Sequence, residues 1–350
     1  MARDREYDVI IIGGGQSGLA CGYFLRRTNL NYIILDEQSD PGGAWNHTWD
    51  SLKLFSPAEH SSLPGWLMPK AKEEYPGKTH VQRYLTDYEE KYKLNVKRPI
   101  AVDSVKKVAG QFELMTSDGL FKSKAIISAT GTWKKQYIPD YNKIEQYSGQ
   151  QIHSAHYKNS DQIEGENVLI VGGGNSGAQI LADLYQQFNT TWVTLKEPKF
   201  LPDEVDGRYL FEFATKQYKA RLAGEKIEPV GTLGDVVMVE SVKKARDNGA
   251  LQSRRPFQSF YEQGVVWSDG TQERFDTVIW CTGFKSSLDH LADFKNAQGN
   301  ISTQQTQAKD TEGLWLVGYG NWTGYASATL IGVGRTARQT VKEIEDYIGG

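Results

Sequence analysis

The chain has 350 residues, a length that suits two domains of ordinary size. Its 40 Lys and Arg against 43 Asp and Glu leave a net charge of −3, which gives no electrostatic case for a nucleic-acid partner. The opening MARDREYD is charged, and no apolar run approaches the roughly 18 residues of a membrane span, so the sequence reads as a cytoplasmic protein with no membrane partner.

In chain order the first signal is VIIIGGGQSGLA at residues 9–20. A β-branched run leading into Gly-x-Gly-x-x-Gly predicts a buried parallel strand, a tight turn and a helix whose N-terminus faces a pyrophosphate. Gly13 permits the turn, Gly15 removes a side chain that would block phosphates, and Gly18 lets the helix approach the strand, with Gln16 and Ser17 opening that helix. LACGYFLRR then has Leu19, Tyr23 and Phe24 at helical spacing. NYIILD reads as a second strand ending in Asp36, with Glu37 beside it, about where an acid that grips a ribose diol is expected. The plain alternative is a glycine turn that binds nothing. PGGAW follows at 41–45, and GKTHVQRYLTDYEEKY puts Val81, Tyr84, Leu85, Tyr88 and Tyr92 on one helical face, a core stripe. FELMTSDGLFKSKAIISATG (112–131) reads as a strand, an Asp-Gly turn and a second strand ending in Thr130-Gly131.

The same unit then recurs. VLIVGGGNSGAQ (168–179) supplies Gly172, Gly174 and Gly177 at the same spacing, with Asn175 and Ser176 where Gln16 and Ser17 stood. GVVWSDGTQERFDTVIWCTG (264–283) repeats the hairpin and ends in Thr282-Gly283. The predicted fold class is α/β, with two Rossmann-like dinucleotide-binding domains, each carrying an inserted β-hairpin or meander. Leu195 stands from Gly172 as Asp36 stands from Gly13, so the diol-gripping acid is missing from the second copy. Lys196 follows it and suits a 2′-phosphate as a point charge, opposed in part by Glu197, which predicts a mixed nicotinamide preference leaning to NADPH. The longest insertion, irregular or helical, covers roughly 200–260. Cys21 and Cys281 are the two cysteines, far apart in sequence and placed as small core residues, which excludes a Cys-x-x-Cys redox pair.

A repeated fingerprint with this hairpin and Thr-Gly ending resembles the two-dinucleotide-binding-domain flavoproteins. The stretch QYSGQQIHSAHYKNS narrows the resemblance: Gly149, His153 and Tyr157 match the Phe-x-Gly-x-x-x-His-x-x-x-Tyr of flavin-containing monooxygenases, with Tyr147 in place of the Phe. Gly42, Gly43 and Trp45 match their Gly-Gly-x-Trp segment along the flavin. The resemblance implies FAD in the first unit and NADPH or NADH in the second. Residues 1–155 and 284–350 would form a discontinuous FAD domain and 156–283 the NAD(P)H domain, with 314–320 a strand and 326–348 a helix aimed at the flavin. It also implies hydride transfer to flavin, a C4a-hydroperoxide formed with dioxygen, and oxygenation of a small soft nucleophile: thioethers first, amines and ketones after. By the same resemblance SLKLFSPAE (51–59) occupies a segment where related enzymes place an Asn near the flavin; Phe55 or Ser56 stands there, which implies peroxide leakage. Phe55, Ser56, His153 and Tyr157 are the candidate catalytic residues; His153 reads either as a structural histidine at the domain junction, organising the two domains around NADP, or as a group in direct chemistry. HSSLPGWLMP (60–69) and NWTGYAS (321–327), which contains the cofactor-binding candidate Asn321, suit an apolar substrate cleft and equally a homodimer surface. Two other functions use the same fingerprints: an NAD(P)H:flavin electron transferase of ferredoxin-reductase type and a non-catalytic redox sensor.

Overall fold

The computed structural model describes residues 5–209, 216, 234–324 and 326–350. Residues 210–215 and 217–233 of the predicted insertion, and Tyr325, lie outside the described residues. The chain forms two compact units, one of residues 1–46, 58–134 and 286–350, the other of 47–57 and 135–285.

The first unit is built on β1 (Glu6–Ile12), α1 (Gln16–Leu25), β2 (Tyr32–Leu35), α2 (Lys78–Tyr92), β3 (Val96–Lys97), β4 (Val102–Val108), β5 (Gln111–Thr116) and β6 (Gly119–Ser128). Strands β15 (Thr303–Gln304), β16 (Gln307–Ala308) and β17 (Leu314–Leu316) complete its sheet in the order β15-β16-β17-β6-β1-β2-β3. From β17 to β3 the pairing is parallel, with Ile10 opposite Ile33 and Ile126, and Leu316 opposite Ser128. Such strands are covered on both faces, which is why they read as unbroken apolar runs. The β4–β5–β6 meander is the inserted hairpin, turning at Asp118-Gly119. The chain reaches its final helix, α5, only at Val333 and keeps it to Gly349. Residues 326–332, predicted to be helical, form turns instead: a Cβ on Gly332 would come within 2.1 Å of the Ala326 carbonyl oxygen, and the Thr329 hydroxyl accepts from Gly332 N.

The second unit repeats the plan. Its parallel sheet runs β10-β9-β8-β14-β7, from β7 (Gln150–His153), β8 (Asn167–Val171), β9 (Asn189–Val193), β10 (Ser253–Arg254) and β14 (Thr277–Trp280). α3 (Asn175–Leu184) follows the second glycine turn, and α4 (Glu240–Asp247) packs beside it. The meander β11 (Ser259–Tyr261), β12 (Gly264–Val266) and β13 (Gln272–Arg274) is a separate antiparallel sheet. The division at 134/135 differs from the expected 155/156 because β7 pairs in register with β14, Ile152 opposite Ile279 and His153 opposite Trp280. Residues 47–57 join this unit through Trp49, which is buried among Val168, Ile170 and Trp192, and through Ser51, whose hydroxyl donates to Asp183.

Candidate dinucleotide sites

Each unit presents a glycine turn at the carboxyl end of a central parallel strand, β1 in the first and β8 in the second, followed by a helix that no described side chain caps. Gly15 opens α1 and Gly174 opens α3, both with extended backbone and no side-chain hydrogen bond at the cap. The first N–H groups of each helix are therefore available to an anion.

The glycines divide by what holds them. Gly18 is demanded by the fold, since a Cβ there would lie 1.9 Å from the Gly13 carbonyl oxygen. Gly15 is not: its φ is −76°, and an added Cβ would meet only Gly43 Cα at 3.7 Å. Gly174, at φ −98°, would meet nothing within 4 Å. The polypeptide itself therefore does not demand a bare Cα at these two positions, and an open Cα beside free helix N–H groups suits the pyrophosphate of a dinucleotide.

Around the first cradle the predicted residues converge. Gly43 crosses above Gly15, so closely that a Cβ on it would lie 2.7 Å from Gly15 Cα. Trp45 Nε1 donates to Gln16 Oε1 at 3.1 Å, and Gln16 Nε2 donates to the Ala328 carbonyl at 2.6 Å, which ties the PGGAW segment and the residues before α5 to the start of α1. Ser17 is buried under Gly318. Asp36 is 3% exposed and faces the turn, a Cβ on Gly14 coming within 2.5 Å of its Oδ2. Thr130 Oγ1 donates to the Ser287 carbonyl and lies 2.8 Å from Tyr319 Oη; the Gly131 carbonyl accepts from Ser287 N. Behind Thr130, Ser128, Tyr319 and His290 close a buried polar network, and burial holds the His290 pKa down to about 4. Two predicted residues stand apart: Glu37 pairs with Lys134 at 2.6 Å, and Asn321 is exposed on a short helical turn.

In the second unit Gly172, Gly174, Ser176 and Gly177 form the equivalent turn. The Asn175 side-chain amide donates to the Asp235 carbonyl and accepts from Val237 N, which ties the start of α3 to the chain before α4. Lys196 is exposed, with no ion pair among the described residues, while Glu197 pairs with Arg255 rather than with Lys196. Thr194, which no motif singles out, is buried against Gly173, and its hydroxyl has no partner among the described residues. Thr282 donates to the Tyr137 carbonyl, and the Gly283 carbonyl accepts from Tyr137 N.

The four candidate catalytic residues all lie in the second unit. His153 Nδ1 accepts from Ala155 N at 3.1 Å, which makes Nε2 the protonated nitrogen, donating to the Gly283 carbonyl at 3.1 Å. Burial lowers its pKa, and the backbone occupies both nitrogens, so it is a neutral strut between β7 and the end of β14. Tyr157 is wholly buried in the core with Trp49, Ile170 and Ile279, its hydroxyl without a partner among the described residues and its pKa raised by burial. Phe55 packs on Leu201, Val205 and Val237, and Ser56 is 2% exposed beneath Gly207, whose N–H donates to the Phe55 carbonyl. Both cysteines are buried thiols, Cys281 pushed up to about 12 by desolvation and Cys21 raised by the same cause.

Fold and sites together define an oxidoreductase with two dinucleotide cradles. The chain belongs to the pyridine nucleotide-disulphide oxidoreductase family, which matches residues 10–318. A flavin-containing monooxygenase of known structure from Stenotrophomonas maltophilia is 46% identical, with a TM-score of 0.89 over 98% of this chain and 99% of its own. The uncharacterised oxidoreductase CzcO of Bacillus subtilis strain 168 is 30% identical over 97% of this chain and 99% of its own. YUCCA3 of Arabidopsis thaliana, a probable indole-3-pyruvate monooxygenase, is 28% identical over 80% of this chain and 73% of its own.

Proposed function

We propose that the protein is an FAD- and NAD(P)H-dependent monooxygenase that transfers one atom of dioxygen to small soft nucleophiles, thioethers before amines, with weaker action on ketones. The observation that carries the reading is the pairing of two dinucleotide cradles with cysteines that are neutral and buried, so electrons arriving at a flavin have no thiol pair to leave through. When bound, FAD supplies the hydride acceptor and the activation of dioxygen. The chain's own work is to hold and orient. The N-terminus of α1 and Gly15 would take the FAD pyrophosphate and Asp36 its ribose hydroxyls, while α3, Gly174 and Lys196 would take NADPH. No side chain need act as acid or base, which agrees with the neutral, fully bonded His153.

The test supplies FAD-loaded protein with NADPH, methyl phenyl sulfide and isotopically labelled dioxygen. Sulfoxide carrying one labelled oxygen per NADPH productively used is expected. Reduction of ferredoxin or dyes by NADPH, with no oxygenated product from any sulfide, would replace the reading with an electron transferase.

A further inference from the structure

Asp36 is not left alone at the end of β2. Its Oδ2 accepts from Arg98 Nε at 2.7 Å, and the rest of that guanidinium goes to Glu89 on α2, Nη1 and Nη2 reaching its two carboxylate oxygens at 2.7 and 2.8 Å. The side chains of Asp36, Arg98 and Glu89 are 4%, 10% and 16% exposed, so this is a largely buried set of three charges. The backbone fixes the same geometry: Asp36 N donates to the Lys97 carbonyl, and Ile100 N donates to the Asp36 carbonyl at 2.7 Å.

A device meant only to join α2 to β3 would need one carboxylate and one guanidinium. Here Glu89 takes the bidentate fork, the geometry Arg prefers, and Asp36 receives a single bond at its side. The set carries one negative charge in excess, which is costly to bury unless further donors meet it. Among the described residues Asp36 Oδ1 has only the Gln38 N–H at 3.4 Å, so acceptor capacity remains on the carboxylate that faces the first glycine turn. A vicinal diol supplies two neutral donors at the spacing of one carboxylate.

We propose that Arg98, held by Glu89, is the positioning residue for the adenosine ribose of the flavin dinucleotide, orienting Asp36 to accept from both ribose hydroxyls. The proposal rests on the first unit being the FAD site. Arg98 touches no part of the cofactor in this assignment and acts through Asp36.

The test measures binding rather than turnover. Apoprotein is titrated by flavin fluorescence with FAD and with the analogue that lacks the 2′-hydroxyl of the adenosine ribose, for wild type, Arg98→Met and Arg98→Lys. Wild type is expected to bind FAD about tenfold or more tightly than the deoxy analogue, the effect of a hydrogen bond to a charged acceptor. Arg98→Met should weaken FAD by a similar factor and bind both ligands nearly alike. Arg98→Lys keeps the charge and the fold but loses the fork, and should retain only part of the discrimination. A variant that loses thermal stability yet keeps the wild-type ratio between the two ligands would show Arg98 to be structural only. Equal binding of the two ligands by wild type would overturn the proposal while leaving the FAD assignment standing. No FAD binding by wild type would remove both.

Discussion

At Gly15 and Gly174 the backbone is ordinary and the space beside Cα is open, so a methyl group there disturbs nothing in the polypeptide. Gly15→Ala and Gly174→Ala should therefore fold with stability within about 1 kcal/mol of wild type, as substitutions away from packed features do. Their ligands should separate them: Gly15→Ala protein should purify with little FAD, and Gly174→Ala should keep FAD while its KM for NADPH rises tenfold or more. Full FAD occupancy in the first variant would sink the assignment of the first unit. Lys196 is tested by preference instead of loss. As an exposed point charge it should contribute roughly two- to fivefold to the NADPH over NADH ratio in kcat/KM, the range of an exposed ion pair, and Lys196→Ala should erase that factor. An unchanged ratio would shift the selection elsewhere around the end of β9.

At the scale of an element, the His153 imidazole fixes the end of β7 through backbone partners on both of its nitrogens. The imidazole links the last residue of β7 to the chain just beyond β14, and it does so only when neutral, since a proton on Nδ1 would face the Ala155 N–H. The folded state thus binds the proton less well than the unfolded chain. The strut's contribution is full above the ordinary histidine value of about 6.5 and declines as pH falls below it toward the lowered folded value. His153→Ala should lose about 1–3 kcal/mol at pH 8, the range for a buried polar contact removed, and should show a smaller drop in melting temperature between pH 7.5 and pH 5 than wild type. The choice among sulfides should stay as it was. A variant of wild-type stability with altered sulfide choice would make His153 a substrate residue after all. The repeated strand, turn and helix were legible in the sequence because local physics writes them: β-branched runs for covered strands, and glycines where a helix must touch a turn. The residues that steady those elements were not. Arg98 and Glu89 are ordinary charges until β3 and α2 bring them to Asp36, and Thr194 is an ordinary residue after β9 until its hydroxyl is seen to be buried without a partner among the described residues.

For the whole molecule, the division into units was legible only in outline, because residues 47–57 carry no periodicity that announces which core they join. Trp49, Ser51 and the Phe55 carbonyl place them, through partners more than a hundred residues away in sequence. Under the proposed oxygenation, residue 55 would bear on how completely the two half-reactions are coupled. The sequence resemblance implies that related monooxygenases place an Asn in the corresponding segment, its amide near the flavin; here Phe55 packs on Leu201, Val205 and Val237 and has no side-chain donor. A missing donor to developing negative charge is worth about 3 kcal/mol in comparable sites, enough to let decay compete with oxygen transfer. The wild type should therefore release hydrogen peroxide as a sizeable share of the NADPH it consumes, a share that falls when a good sulfide is present. Phe55→Asn restores a donor but removes a packed ring, so Phe55→Leu serves as its partner, keeping an apolar contact and adding no donor. The peroxide-to-NADPH ratio should drop in the Asn variant and stay near wild type in the Leu variant, with folding of each checked by its melting curve. Tight coupling in the wild type, or one ratio shared by all three proteins, would show that this position fills space in the second unit and has no hold on the oxygen chemistry.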